Sequence, residues 1–149
     1  MAVPPSMTDL QLIDHEGGEV PLAELDGTPV LFVLLPGAFT PVCTAELPGI
    51  QQLWQRAGAL AVPTLTLSCD APPVLAAWRE AERLDLPLLS DFWPHGAVCR
   101  ALDAFDEVSG RSTRTAVLLD AERRVRARVD AEAGRPRDLD QLAAALKDL

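Results

Sequence analysis

Residues 29–35 read PVLFVLL, seven apolar residues in a row, closed by Pro36. A run of this length is too short for a buried helix. With β-branched Val30 and Val33 and prolines at both ends, it reads as a strand apolar on both faces. Such a strand is stable only in the middle of a sheet covered on each side, so it sets the architecture around which the rest of the chain must be arranged.

The flanking segments supply that arrangement. TDLQLID (8–14) alternates polar and apolar residues as a short strand does, and HEGGEV (15–20) carries two glycines for a hairpin turn. VPLAELDG reads as a loop or short turn. After the central run, Leu47, Ile50, Leu53 and Trp54 recur at helical spacing between Thr44 and Arg56, and Pro48 and Gly49 are expected to shorten or kink that helix. AVPTLTLS (61–68) is the next strand. Asp70 with Pro72 and Pro73 opens a second helix, with Val74, Ala77, Trp78 and Ala81 as its predicted inner face. LPLLSD (86–91) is short and apolar, and PHGAVCRAL (94–102) reads as a short helix. RTAVLLD and RRVRARV are two strands joined by a tight turn at Asp120–Glu122. The last helix, within RDLDQLAAALKDL, should turn Leu139, Leu142, Ala143 and Leu146 inward. The fold class is therefore α/β. Strand–helix–strand followed by strand–strand–helix is the order of a thioredoxin-like sheet with additions, here with an N-terminal β-hairpin. No repeat, linker or low-complexity segment interrupts it, so residues 1–149 are expected to form one domain.

Composition narrows the class of function. Apolar residues make up 48% and charged residues 23%, the balance of a globular chain. A net charge of -9 argues against binding a nucleic-acid backbone. No apolar run is long enough to span a bilayer. MAVPPSMTDL has neither a basic region nor a following apolar stretch, so no secretory signal is expected and the cytoplasm is the expected compartment. Three cysteines (Cys43, Cys69 and Cys99) fit no disulfide framework, and no Cys-x-x-Cys occurs. With only His15 and His95 beside them, no structural zinc site and no other cofactor is expected. Of the 13 basic residues 12 are arginine, so a given arginine is not special for being one.

The chemistry gathers where the central strand ends. In LLPGAFTPVCTAEL (34–47), Cys43 stands where a helix is expected to begin. Free N–H groups and the helix dipole in a first turn favour a thiolate over a thiol. Thr40 can donate to a thiolate or bound oxyanion, or cap the helix, and Pro36 can close the strand and shield the pocket. A cysteine protease would need a histidine partner, for which His95 is the only plausible residue.

The set Pro36-x-x-x-Thr40-x-x-Cys43, after an apolar strand and before a helix, resembles the active-site signature of peroxiredoxins. Arg114, opening RTAVLLD, resembles the arginine strand of that family. LPLLSDFWPHGAV (86–98) with FDEVSG is similar to the one-cysteine alkyl hydroperoxide reductase E subgroup, and CTAEL to the Q-type (bacterioferritin comigratory protein) group. The similarity covers residues 8–149. It implies a thioredoxin-like fold with peroxiredoxin insertions and a thiol-dependent peroxidase, an antioxidant oxidoreductase acting on hydrogen peroxide, organic hydroperoxides or peroxynitrite. Cys43 would be the nucleophile that becomes a sulfenic acid. Thr40 and Arg114 would stabilise the charge spread over sulfur and the leaving oxygen. No metal or organic cofactor is implied.

The sequence departs from that pattern in places. Pro48 stands where Q-type relatives often carry a resolving cysteine, tyrosine is absent, RALDAF replaces a usual Tyr-Gly pair, and Leu35 replaces a phenylalanine. An external reductant, either a low-molecular-weight thiol or a thioredoxin- or glutaredoxin-type protein, is then expected to reduce the sulfenic acid. Cys99 is the candidate for a rival two-cysteine mechanism, and Cys69 reads as a packed thiol. Glu46, one helical turn after Cys43, either complements the helix dipole or, as in relatives, joins the arginine network. DFWPHG reads as a fixed loop, and the resemblance implies a homodimer that covers Phe92 and Trp93. A non-enzymatic redox sensor or holdase on the same scaffold is the rival outside enzymology, but it has no need of the arginine.

Overall fold

The structure is a computed structural model that describes residues 5–132 and 134–149; the first four residues of the N-terminal segment lie outside it. β1 (Gln11–Asp14) and β2 (Glu19–Pro21) form the N-terminal hairpin, and a 3-10 turn at Leu22–Leu25 leads to β3 (Val30–Leu34). Then follow α1 (Pro41–Ala59), β4 (Thr64–Ser68), α2 (Pro72–Ala81), β5 (Leu88–Ser90) and α3 (Ala97–Ala101). β6 (Phe105–Asp106) and β7 (Arg111–Ser112) make a separate two-stranded ribbon, and β8 (Arg114–Leu119), β9 (Val125–Ala131) and α4 (Leu139–Lys147) complete the chain.

Seven strands form one mixed sheet in the order β2-β1-β5-β4-β3-β8-β9. β3, β4 and β5 run parallel, and β1, β8 and β9 pair antiparallel to their neighbours. Every residue of β3 is buried, as its unbroken apolar run requires. The strand divides the core in two. Leu31, Val33 and Leu35 face α1, α2 and α4, while Val30, Phe32 and Leu34 face the N-terminal hairpin and α3. The strand–helix–strand and strand–strand–helix order around β3 is that of a thioredoxin-like sheet with an added N-terminal hairpin.

Two helices differ from the sequence expectation. α1 runs unbroken for 19 residues through Pro48. Pro48 lies on the exposed face, and its helix-interior cost of about 3 kcal/mol is offset by burial of Leu47, Ile50, Leu53 and Ala57 on the other. α2 is turned from its predicted face. It buries Leu75 and Trp78 and leaves Val74, Ala77 and Ala81 exposed. Trp78 is buried as predicted, and Leu75 brings more apolar area than either alanine, so burial rotates the helix toward the face that holds both. Trp78 is fully buried, and its Nε1 donates to Thr44 Oγ1 at 3.3 Å, tying α2 to the first turn of α1. The C-terminal helix faces inward as expected, with Leu142 and Leu146 buried and Leu139 and Ala143 packed beside them.

Candidate active site

Backbone alternation places the main residues together. Ala116 and Leu118 of β8 point to the α1 side of the sheet, and side chains on a strand repeat every second residue. Arg114, two residues before Ala116, therefore points to that side as well. Ala116 pairs with Val33, so Arg114 lies level with the end of β3, where Pro36 breaks the strand. α1 starts at Pro41, putting Cys43 in its first turn on the buried face. Arg114 Nη1 lies 3.4 Å from Cys43 Sγ, with the sulfur fully buried.

The arginine is itself held. Arg114 Nη1 also donates to Glu46 Oε1, one turn along α1. Glu46 receives three further hydrogen bonds, all from Arg137: backbone N to Oε2 at 3.0 Å, Nε to Oε2 at 3.0 Å and Nη2 to Oε1 at 3.2 Å. Arg137 Nη1 donates to the carbonyl of Thr115 on β8 at 2.7 Å. Both guanidinium groups and the carboxylate are buried. Burial works to raise the Glu46 carboxyl, but the hydrogen bonds and charge of Arg137, with Arg114, outweigh it and leave the group below its ordinary range. Burial lowers the Arg137 guanidinium, and Glu46 opposes that shift. Arg114 Nε is buried and has no hydrogen-bond partner among the described residues.

The loop over the thiol is pinned at several points. Asp70, expected to open α2, stands just before that helix, whose cap makes no side-chain bond. Its Oδ2 instead accepts from Ala38 N at 2.8 Å and from the Ser68 hydroxyl at 2.7 Å. Phe39 adopts a left-handed φ of 61°, unusual for a residue with a Cβ, and its ring lies 6.3 Å from that of Trp78. That turn brings Thr40 back on the loop. Thr40 occupies the N-cap position of α1 but makes no capping bond, and its hydroxyl donates to the Gly37 carbonyl at 2.6 Å, so the proton expected for a thiolate or oxyanion is given to the loop instead. Pro36 is half-buried at the rim of a neighbouring cleft.

The other cysteines lie elsewhere. Cys69, at the end of β4, and Cys99, on α3, belong to the core on the opposite side of the sheet from Cys43. They sit beside each other with sulfurs 3.9 Å apart. The His95 ring nitrogens contact the carbonyls of Phe92 at 3.1 Å and Gly110 at 2.7 Å, so this residue ties down the DFWPHG loop, as read from sequence.

The structure brings the sequence candidates Cys43, Arg114 and Glu46 into contact and adds Arg137, which sequence reading missed. Among 12 arginines, one in a polar stretch before the last helix carries no distinguishing mark. The only local signal is Asp138 beside it, whose side chain caps α4 at Gln141 N and so anchors the backbone from which Arg137 reaches Glu46.

A buried thiol in the first turn of a helix, under an arginine from the adjacent strand of a thioredoxin-like sheet, defines a protein of the thiol peroxidase class. Residues 4–128 match the AhpC/TSA family, and the chain belongs to it. It is 34% identical over 119 residues to alkyl hydroperoxide reductase E of Mycobacterium tuberculosis, covering 77% of this chain and 78% of that one. It is 31% identical over 120 residues to peroxiredoxin Bcp of Escherichia coli, covering 76% of each. The crystal structure of peroxidoxin BcpB from Mycobacterium tuberculosis superposes with a TM-score of 0.81 at 25% identity, over 100% of this chain and 98% of that one. The Xanthomonas campestris bacterioferritin comigratory protein shares the fold with a TM-score of 0.82 at 24% identity, over 99% and 96%. The activity is accordingly that of a thiol-dependent peroxidase, an oxidoreductase that takes a peroxide and a thiol or thioredoxin-type reductant. Among the described residues no helix is long and apolar enough to cross a membrane.

Proposed function

We propose that this chain, acting as a single domain over residues 1–149, reduces hydrogen peroxide, organic hydroperoxides or peroxynitrite by a one-cysteine mechanism at Cys43. The Cys43 thiolate attacks the terminal peroxide oxygen. An S–O bond forms, the O–O bond breaks, and the alcohol or water leaves after taking up a proton, or nitrite leaves where peroxynitrite is the substrate. The sulfenic acid on Cys43 is then reduced by a small thiol or a thioredoxin- or glutaredoxin-type protein. The observation that carries this reading is Arg114 Nη1 at 3.4 Å from the sulfur, braced by Glu46 and Arg137. Its cation lies where negative charge develops, and its spare Nε–H is a donor for the peroxide. The Thr40 hydroxyl gives its proton to Gly37, so its oxygen lone pairs are left to accept from the peroxide O–H. Pro36 and the pinned loop exclude bulk water. Because the sulfur is buried, peroxide entry requires the loop from Pro36 to Thr40 to open.

Cys99 lies across the sheet from Cys43, which favours an external reductant over a two-cysteine route through that residue. We place the protein in the cytoplasm as a homodimer. Exposed Phe92 and Trp93, the latter 78% exposed, support a covered surface in the pair. Mass spectrometry after one equivalent of peroxide tests the mechanism. A gain of one oxygen on the Cys43 peptide supports it. A Cys43–Cys99 linked peptide would replace it with the two-cysteine route.

A further inference from the structure

The chain holds a second pair of thiols that the reaction at Cys43 does not use. Cys69 Sγ and Cys99 Sγ are 3.9 Å apart, in van der Waals contact. The Asp91 carboxylate completes a buried group whose ligand-type atoms all lie within 4.8 Å of one another. Asp91 accepts from the backbone N–H of Val98 at 3.1 Å and of Cys99 at 2.8 Å, which fixes it beside α3. The pair is not sealed. A cleft of about 330 Å³, bounded by Pro36, Asp70, His95, Gly110 and Arg111, reaches Cys69 and not Cys99. Cys69 is 7% exposed and Cys99 is 0% exposed. Two cationic or polarisable side chains, His95 and Arg111, therefore line the approach to one sulfur while the other waits behind it.

We propose that Cys69 and Cys99 form a second redox couple, in which a hydroperoxide entering this cleft oxidises Cys69 and Cys99 closes an intramolecular disulfide, independently of Cys43. In the first step the Cys69 sulfur attacks the peroxide, an S–O bond forms as O–O breaks, and the alcohol leaves with a proton. In the second step the Cys99 sulfur attacks Cys69, S–S forms as S–O breaks, and hydroxide leaves as water with the Cys99 proton. Together the two thiols lose two electrons and two protons, and the peroxide becomes alcohol and water. The sulfurs need approach by only about 1 Å each to reach bonding distance. Asp91 is placed to take the Cys99 proton. Burial raises the Asp91 carboxyl, which improves it as a proton acceptor. The sulfur–sulfur contact with Cys99 holds Cys69 below the usual thiol range despite its burial, and the same contact, with burial, pushes Cys99 up. The sulfur that the cleft reaches is thus the attacking one and the enclosed sulfur the resolving one.

The test uses the full chain with Cys43→Ser, which leaves this pair as the remaining thiols. Treated with excess hydrogen peroxide without denaturant, the protein should lose two hydrogens in intact mass, yield a linked Cys69–Cys99 peptide, and recover both thiols with dithiothreitol. C43S/C99S should instead gain oxygen at Cys69, and C43S/C69S should keep its thiol. Wild-type protein under the same excess provides the readout should a double variant fail to fold, because the linked Cys69–Cys99 peptide should appear beside oxidised Cys43. The proposal is overturned if both thiols of C43S survive, if the link forms only in urea, or if oxygen accumulates on Cys69 while Cys99 is present. Zinc alone bound one-to-one and protecting both thiols would assign a metal site in place of the couple.

Discussion

Replacing Glu46 by glutamine keeps the shape of the side chain and removes its charge. Two guanidinium groups then share a buried site with no anion. Glu46 accepts four hydrogen bonds, two on each oxygen. Glutamine keeps one oxygen and turns an NH2 group toward donors that already point inward, so two bonds are lost and donors face donors. Removing one partner of a buried ion pair costs about 3–5 kcal/mol, most of it from the charge left behind. For a chain of this size each kcal/mol shifts the midpoint by roughly 3 °C, so a fall of about 10–15 °C is expected. Urea unfolding measures the free energy and calorimetry the temperature. The same change frees Arg114, and stopped-flow oxidation of Cys43 should slow by about 100-fold, the scale of a small misplacement at a reacting centre. A cycle with Arg137→Met should show coupling of at least about 1 kcal/mol. An E46Q protein within about 1 kcal/mol of wild type, oxidised at an unchanged rate, would refute the view that this carboxylate braces the catalytic arginine.

Because the Glu46 carboxyl is held below its ordinary value near 4.5, its stabilisation is complete above that value and is lost as pH falls through the lower folded value; acid titration should show this loss in wild type and not in E46Q. Arg114→Lys should keep the charge but displace the nitrogen that contacts both Glu46 and the sulfur and remove the Nε–H donor, lowering the peroxide rate by about 100- to 1000-fold with little change in fold by circular dichroism. Gly96 has φ 70° and packs against the Phe105 ring where a Cβ would stand, so Gly96→Ala should cost about 2–4 kcal/mol in urea unfolding. Leu47→Ala, at a fully buried position of α1, should cost about 2–5 kcal/mol in the same assay.

Much of the fold was legible because it rests on local patterns. The apolar run at 29–35 could only be a central strand, the glycines at 17 and 18 favoured a hairpin, and Cys43 fell in the first turn because the strand before it ends at Pro36; the alternation at 8–14 overran the first hairpin strand, which is Gln11–Asp14 after a 3-10 turn at Pro5–Asp9. Arg114 was legible through its strand position rather than its chemistry. The misreadings share one cause. The inner face of α2 and the continuity of α1 through Pro48 were judged from local preference, whereas the energy of burying Trp78, Leu75 and the α1 core decides both.

The amino-acid order alone determined the strand, the helix start and the reactive residue types, because hydrophobic period and backbone chemistry act over a few neighbouring positions. Only the folded chain decided which partners they met. Arg137 reaches back 91 residues to Glu46, and Cys69 meets Cys99 across 30. Such pairings depend on how helices pack on the sheet, and no local interaction along the chain encodes them.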